Sequence, residues 1–336
     1  MNKKIISTIT LFFAAVFILV STSCGNDYLK DDCGCFVNYA DALEYAGKKK
    51  LPILIFFTSE GDDETSVQLV ADVIKDTAFA DEIAKKYVVL HADFSQNAYQ
   101  KTVAPENATA KEQELANNYT IIMQNNYQLA MLFNIETTPA VFLCTKEGYV
   151  VSAVENNDVF TNYTEFKDEL ASYDDELASF NDMVAETKKG SALKKVEAID
   201  TLYRATDITY RTFLIDLAKT VPELDKKNES GLCSKYIVAA AEAEALAAYS
   251  QGDVETAVKA YLQAANNEFV KAEDKQECFY TAAYIVAYSG SEDYNGILSY
   301  LQTAYELAPD SSKASAIKDA IDYFNTIVEN EAELPE

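Results

Sequence analysis

The chain has 336 residues, 49% of them hydrophobic, and its 54 acidic and 28 basic residues give a formal net charge of −26. This length suffices for two domains with buried cores. The acidic excess argues against nucleic acid or an anionic membrane surface as the partner, because lysine and arginine would have to neutralise the phosphates.

The first 24 residues have the pattern of an export signal. Lys3 and Lys4 precede an apolar run over residues 5–20, and the small residues 21–23 lead to Cys24. A cysteine directly after small residues resembles the bacterial lipoprotein signal. That resemblance implies that Cys24 becomes the lipid-bearing first residue of the mature chain, in the cell envelope. The alternatives are an uncleaved anchor helix and plain secretion with Cys24 free.

Residues 25–35 are predicted to form a flexible tether that contains Cys33 and Cys35. This pair could act in redox chemistry or bind a metal. The alternative is a pair without chemistry, as a strained short-loop disulfide or an intermolecular bridge. The neighbouring charges are mostly acidic and do not lower thiol pKa values, which favours the second interpretation.

Residues 36–185 read as alternating helices and strands, which is typical of an α/β sandwich. The predicted elements are a helix over 36–50, a strand over 51–57, helices over 64–75 and 79–86, a strand over 87–94, a helix over 110–133, strands over 140–145 and 149–154, and a closing helix from about 163.

Residues 58–66 form the turn between the first strand and its helix. Four acids, Glu60, Asp62, Asp63 and Glu64, crowd this turn. They lack the ligand spacing and central glycine of a calcium loop. Acidic residues at a helix start complement its dipole and cap its free N–H groups, so capping is preferred over metal binding.

Residues 53–69, 88–94 and 129–151 together resemble a thioredoxin-fold domain of bacterial envelope proteins. The most specific piece is residues 133–143, where the family places a cis proline opposite the active-site turn, at Thr138-Pro139. The resemblance implies a mixed central sheet flanked by helices, with the 51–57 strand in its centre.

The same resemblance implies a domain without redox activity. Thioredoxins carry Cys-x-x-Cys at the turn, and alignment puts Asp63 and Ser66 at those two positions. Aspartate and serine cannot exchange disulfides.

The histidine and the three remaining cysteines are explained by structural roles. His91 is the only histidine and stands in a strand pattern without an adjoining acid, so we expect a structural role. Cys144, Cys233 and Cys278 are isolated in apolar contexts, where cysteine is usually a small core residue.

Residues 186–336 predict a second, all-helical domain of about seven helices, separated by breaks that include residues 222–231. Tyr249 and Tyr288, like Tyr261 and Tyr300, mark two segments that repeat at the same interval. These segments resemble tetratricopeptide repeats, which implies a short solenoid with a groove for a peptide or protein. The alternative is a plain helical bundle that stabilises the first domain.

The sequence therefore predicts a membrane-anchored cell-envelope protein, exported and lipid-anchored on the periplasmic face or the cell surface. It would act as a protein-binding or scaffold module for an envelope partner, and we expect no catalytic residue, cofactor or metal. The alternatives are a thiol-disulfide oxidoreductase that uses Cys33 and Cys35, and an envelope chaperone.

Overall fold

The computed structural model describes residues 28–59, 64–155 and 157–332. Cys24 and Asp63 lie outside these ranges. The described chain forms two compact units, one of residues 28–188 with Thr201–Leu214, the other of Lys189–Asp200 with residues 215–332. No helix among the described residues is long and apolar enough to cross a membrane.

The N-terminal unit is a small sheet with flanking helices. Its strands are β1 (Ile53–Thr58), β2 (Val88–Asp93), β3 (Ala140–Cys144) and β4 (Val150–Ala153). Its helices are α1 (Tyr39–Lys49), α2 (Glu64–Gln68), α3 (Phe79–Glu82), α4 (Gln96–Gln100), α5 (Ala110–Leu132), α6 (Tyr163–Ser172) and α7 (Asp174–Glu186). A π-helical segment, Leu69–Ile74, continues α2, and a 3₁₀ turn, Asn157–Thr161, precedes α6.

The four strands form one mixed sheet in the order β2-β1-β3-β4. β1 runs parallel to β2 and antiparallel to β3, and β3 runs antiparallel to β4. The prediction of a mixed sheet with the first strand in its centre is therefore confirmed.

β1 is buried along its whole length because both faces of the sheet are covered. Leu54 and Phe56 pack into the hydrophobic cluster that includes the π-helical segment and α6. Ile53, Ile55 and Phe57 face the opposite way, into the cluster that includes α1 and the end of α5. Strands buried on both faces read as continuous apolar runs, which explains why this strand was found from sequence.

The segment before α1 differs from its prediction. Phe36 is part of the sheet edge rather than of the helix: its N–H donates to the Val89 carbonyl, and its own carbonyl accepts from the His91 N–H, each at 2.8 Å. The helix begins only at Tyr39, where the Asn38 side chain caps it. Residues 28–35 also pack against the unit instead of forming a free tether, with Cys35 in the core.

A segment far along the chain completes the N-terminal unit. Tyr210 and Phe213 lie in the 3₁₀ stretch Ile208–Leu214, and the Phe213 ring centroid is 4.8 Å from that of Phe133. The Tyr210 ring lies 5.8 Å from Phe142 on β3. These aromatic contacts place two residues that we assigned by sequence to the second domain against the core of the first.

The C-terminal unit is helical. α8 (Ala192–Ala205) contributes its first part, and α9 (Ile215–Leu224), α10 (Cys233–Ser250), α11 (Val254–Ala265), α12 (Ala272–Tyr288), α13 (Tyr294–Leu307) and α14 (Ala314–Ala332) follow. From α9 onwards each helix packs against the next one in sequence.

The predicted break over residues 222–231 begins too early. Pro222 lies inside α9, which continues to Leu224. In the last turn of a helix a proline removes a single backbone hydrogen bond, so the helix need not end there. The turn that follows is closed by the Asp225 carboxylate, which accepts from the N–H groups of Glu229 and Ser230 at 2.8 Å each.

Candidate functional site

The end of β1 and the start of α2 form the turn that the sequence singled out. Ser66 is fully buried, and its Oγ accepts a hydrogen bond from the Ser59 N–H at 3.2 Å. Ser66 thus holds the strand end against the helix. Of the four acids in this turn, only Glu64 is among the described residues, as the first residue of α2.

The loop before β3 meets this turn. The Thr138–Pro139 peptide bond is cis, and Thr138 Oγ1 lies 2.7 Å from Ser59 Oγ. The structure therefore brings Ser66 and Thr138 together through Ser59. The junction thus carries three hydroxyl side chains, and hydroxyl groups can hold a polar ligand but cannot exchange disulfides.

Cys33 and Cys35 lie in a tight turn just before Phe36, next to the outer edge of β2. The Gly34 N–H donates to the Asp31 carbonyl at 3.0 Å, and Gly34 has φ of +79°, a conformation that glycine adopts without strain. Cys35 is buried in the core and Cys33 is half-buried. The five cysteines among the described residues are all free thiols.

A chain of hydrogen bonds fixes this turn to the sheet. Oδ1 of Asp31 accepts from the N–H groups of Cys33 and Cys35 at 2.9 Å each. Asp31 Oδ2 lies 2.8 Å from His91 Nδ1, and His91 Nε2 lies 2.8 Å from Thr58 Oγ1. Both ring nitrogens of His91 are engaged by protein groups, in agreement with a structural histidine. Asp31 is the partner that the sequence did not reveal.

Burial opposes the ionisation of Asp31, but the hydrogen bonds and charge of His91, with the two backbone N–H groups, lower the pKa of its carboxyl below the ordinary value. Asp31 is therefore an acceptor at neutral pH. An ionised carboxylate that accepts three hydrogen bonds is a firm anchor for residues 31–36.

The cysteine environments do not activate the thiols. Burial, with the charge of Asp31 next, raises the pKa of Cys33, and Lys75 and Lys101 oppose that rise without cancelling it. Burial raises the pKa of Cys35 well above the ordinary value, and it also raises those of Cys144 and Cys233 and that of Cys278 to about 12. Since the thiolate is the nucleophile in disulfide exchange, these thiols are poorly suited to it.

A cavity of about 240 Å³ opens beside the turn. It is lined by Asp31 and Cys33 of the turn, by His91 and Asp93 of β2, and by residues of α4 and α5. Helix α4 was not predicted, because its sequence is a polar stretch; the Ser95 hydroxyl caps it by accepting from the Ala98 N–H. Among the described residues no group of three or more His, Cys, Asp and Glu side chains is placed to hold a metal ion.

One sequence signal could have located the turn. Aspartate at the first position and glycine at the fourth are favoured in tight turns, and residues 31–34 read Asp-Asp-Cys-Gly. The contacts of Asp31 with His91, sixty residues away, have no such local signal.

Comparisons with known proteins identify one matching family model and a distant relative. The family model, described as "Uncharacterised protein C-terminal domain", matches residues 232–330, the region of α10 to α14. An "Uncharacterized protein" of Treponema pallidum (strain Nichols) is 23% identical over 295 residues, which cover 86% of this chain and 91% of the relative.

Among solved structures, one described as "DsbH Oxidoreductase" is similar over 39% of this chain and 81% of that chain, with 16% sequence identity and a TM-score of 0.25.

We expect Asp31→Asn to destabilise the N-terminal unit by about 1–3 kcal/mol at pH 7, the usual cost of losing hydrogen bonds to a charged group. Because the pKa of Asp31 is lower in the folded than in the unfolded chain, its contribution is complete above pH of about 4 and declines as the pH falls through the folded-state pKa. Chemical denaturation of the wild type and the variant between pH 7 and 3 measures this.

The matched control is Asp32→Asn, since the adjacent Asp32 is exposed. Hydrogen exchange at the amides of Cys33 and Cys35 should accelerate only in Asp31→Asn. An equal effect of the two substitutions, or a loss that stays the same at pH 3, would contradict the anchoring role of Asp31.

We also expect the full chain to reduce insulin disulfides no faster than dithiothreitol alone, because its thiols are protonated at neutral pH. The double substitution Cys33→Ser, Cys35→Ser should change nothing in this assay. Turnover by the wild type that disappears in the double variant would instead establish a dithiol oxidoreductase.

Proposed function

We propose that the protein is a lipid-anchored cell-envelope binding protein. Its N-terminal unit would be a thioredoxin-like domain without thiol chemistry, and its C-terminal unit a tetratricopeptide-like array that binds a basic segment of a protein partner. Cys24 would carry the lipid.

The topology of the sheet supports the thioredoxin-like assignment. β1 runs parallel to β2 and antiparallel to β3, and a cis proline immediately precedes β3. Where an active member of that family would carry its thiol pair, Ser66 stands at one of the two positions, and its hydroxyl bonds to the backbone of Ser59. This arrangement supports binding rather than disulfide exchange.

The second unit has two helix pairs with the same local construction, which supports the repeat assignment. Gly252 and Gly290, with φ of +78° and +77°, follow the first helix of each pair. Asp253 and Asp293 then cap α11 and α13 by accepting from the N–H groups of Thr256 and Gly296. The two pairs share the glycine and the capping aspartate, as related repeats would, and the turn over 289–293 is two residues longer than the turn over 251–253.

The observation that carries the binding proposal is a column of tyrosines along α12. The ring centroids of Tyr280 and Tyr284 lie 4.7 Å apart and those of Tyr284 and Tyr288 5.8 Å apart. The column ends at Tyr288, whose side chain is 64% exposed. Tyr280 and Tyr284 are half-buried, so the exposed ring of Tyr288 and the accessible parts of the other two offer apolar area and π faces to a partner.

The charges around the column favour a cationic partner. Glu277 lies one turn before Tyr280 on the same face of α12 and pairs with Lys313. Glu242 on the neighbouring α10 is exposed, and desolvation and the charge of Glu277 raise the pKa of its carboxyl. A lysine or arginine of the partner would relieve this repulsion and stack on the rings.

We expect the double substitution Tyr284→Ala, Tyr288→Ala to weaken binding of an unstructured Lys/Arg-rich peptide to the full chain about tenfold, since each cation–π contact contributes about 0.5–1 kcal/mol. Fluorescence anisotropy at physiological salt measures it. The control is Tyr99→Ala, a 56% exposed tyrosine of the N-terminal unit.

Both variants keep the net charge, so attraction to the acidic chain as a whole would be the same in each. Equal affinities in the two variants would therefore refute the tyrosine column as the binding surface. Failure of the wild type to bind the basic peptide better than an acidic one of the same length would refute the cationic partner.

We expect the protein isolated from bacterial envelopes to begin at Cys24 and to carry a lipid, and Cys24→Ala to lack the lipid. Intact-mass spectrometry of both proteins measures this. A wild-type mass without a lipid increment would contradict the anchor and leave export by another route.

A further inference from the structure

The cavity beside β2 has features that the binding of a protein partner does not use. It lies within the N-terminal unit, and its volume of about 240 Å³ is below the roughly 300–1,000 Å³ of pockets for drug-sized ligands. A cavity of this size suits a small metabolite.

One wall contains a buried acceptor without a donor. Asn126 of α5 is 3% exposed, and its Nδ2 donates to the Val37 carbonyl at 3.2 Å, which fixes the orientation of the amide. The remaining atom, Oδ1, is buried and has no hydrogen-bond partner among the described residues. An unsatisfied buried carbonyl oxygen costs about 1–3 kcal/mol, and Asn126 lines the cavity, so a ligand N–H group that reaches this oxygen would recover that cost.

Two cations line the same cavity. Lys75 and Lys101 are exposed, and neither forms an ion pair within the described part of the chain. Lys101 Nζ is 5.7 Å from the centre of the Tyr119 ring, which keeps it at the wall. In a chain with nearly twice as many acids as bases, two ammonium groups that form no ion pair at one cavity can attract the anionic end of a ligand.

Two of the three carboxylates that line the cavity are hydrogen-bonded to other groups of the protein. Asp31 is held by His91 and by two backbone N–H groups. Asp93 accepts from the N–H and the hydroxyl of Ser95 at 2.8 and 3.0 Å. The third, Asp32, is exposed. The cavity therefore combines positive and negative groups, which suits a ligand that carries both charges.

The rest of the wall is apolar, with Val70, Ile122 and Met123. We propose that this cavity binds a free α-amino acid with an apolar side chain. Its carboxylate would lie between Lys75 and Lys101, its ammonium group would donate to Asn126 Oδ1, and its side chain would contact the apolar wall.

The test uses the full chain in detergent with leucine and two analogues, leucinamide, which lacks the carboxylate, and 4-methylpentanoate, which lacks the amino group. Calorimetry gives the affinities. Alkylation of Cys33 by iodoacetamide, followed by peptide mass spectrometry, reports occupancy, because this half-buried thiol lines the cavity and the other four described thiols are buried.

We expect leucine to bind and to slow the alkylation of Cys33, and each analogue to bind at least about tenfold more weakly, the effect of one lost charged contact. Leucine that neither binds nor protects Cys33 would overturn the proposal. So would an analogue that binds as tightly as leucine, because one of the two proposed contacts would then be absent.

Substitution adds a second comparison. Lys75→Gln with Lys101→Gln should weaken leucine binding at least about tenfold, whereas Lys111→Gln, at an exposed lysine of α5 outside the cavity, should not. Equal affinities in these variants would overturn the lysine contact. The analogue comparison uses the wild type, so it decides the question even if the double variant fails to fold.

Discussion

The burial of β1 on both faces is the constraint on which the N-terminal unit depends. Its six residues present alternate side chains to two hydrophobic clusters, and each cluster needs helices to cover it. The chain supplies these helices before, between and after the strands, and it returns at residues 208–214 to add Tyr210 and Phe213 to one cluster. The ends of β1 and β3 then meet at Ser59 and Thr138, so the junction is a consequence of sheet packing.

The open edge of β2 is the second constraint. An exposed strand edge has unpaired backbone groups, and proteins usually cover it. Here Phe36 pairs with the edge, and Asp31 holds the preceding turn through His91 and Thr58. The polar chain links the covering segment to the end of the central strand, and the two cysteines between them are placed by this covering role. Their chemistry follows from it: the same burial that keeps the segment in place keeps the thiols protonated.

These constraints separate two kinds of surface. The tyrosine column lies on one face of α12 in the helical unit, with two half-buried rings and one exposed ring, and is the surface that we propose for a protein partner. The cavity at β2 is a by-product of covering a strand edge with a turn and two helices, which leaves space lined by polar ends of several elements.

The sequence by itself determined the order of the strands and of the helices other than α4, because continuous apolar runs and helical periodicity are local signals. It also determined the absence of a cysteine pair at the turn after β1 and the helical nature of residues from 189 onwards. Only the tertiary structure decided the partners of Asp31, the position of Phe36 at the sheet edge and the unpaired buried oxygen of Asn126. It also decided that Tyr210 and Phe213 pack against the N-terminal unit. Each of these depends on contacts between residues far apart in the chain, and no local pattern encodes which distant residue will be met when the sheet closes.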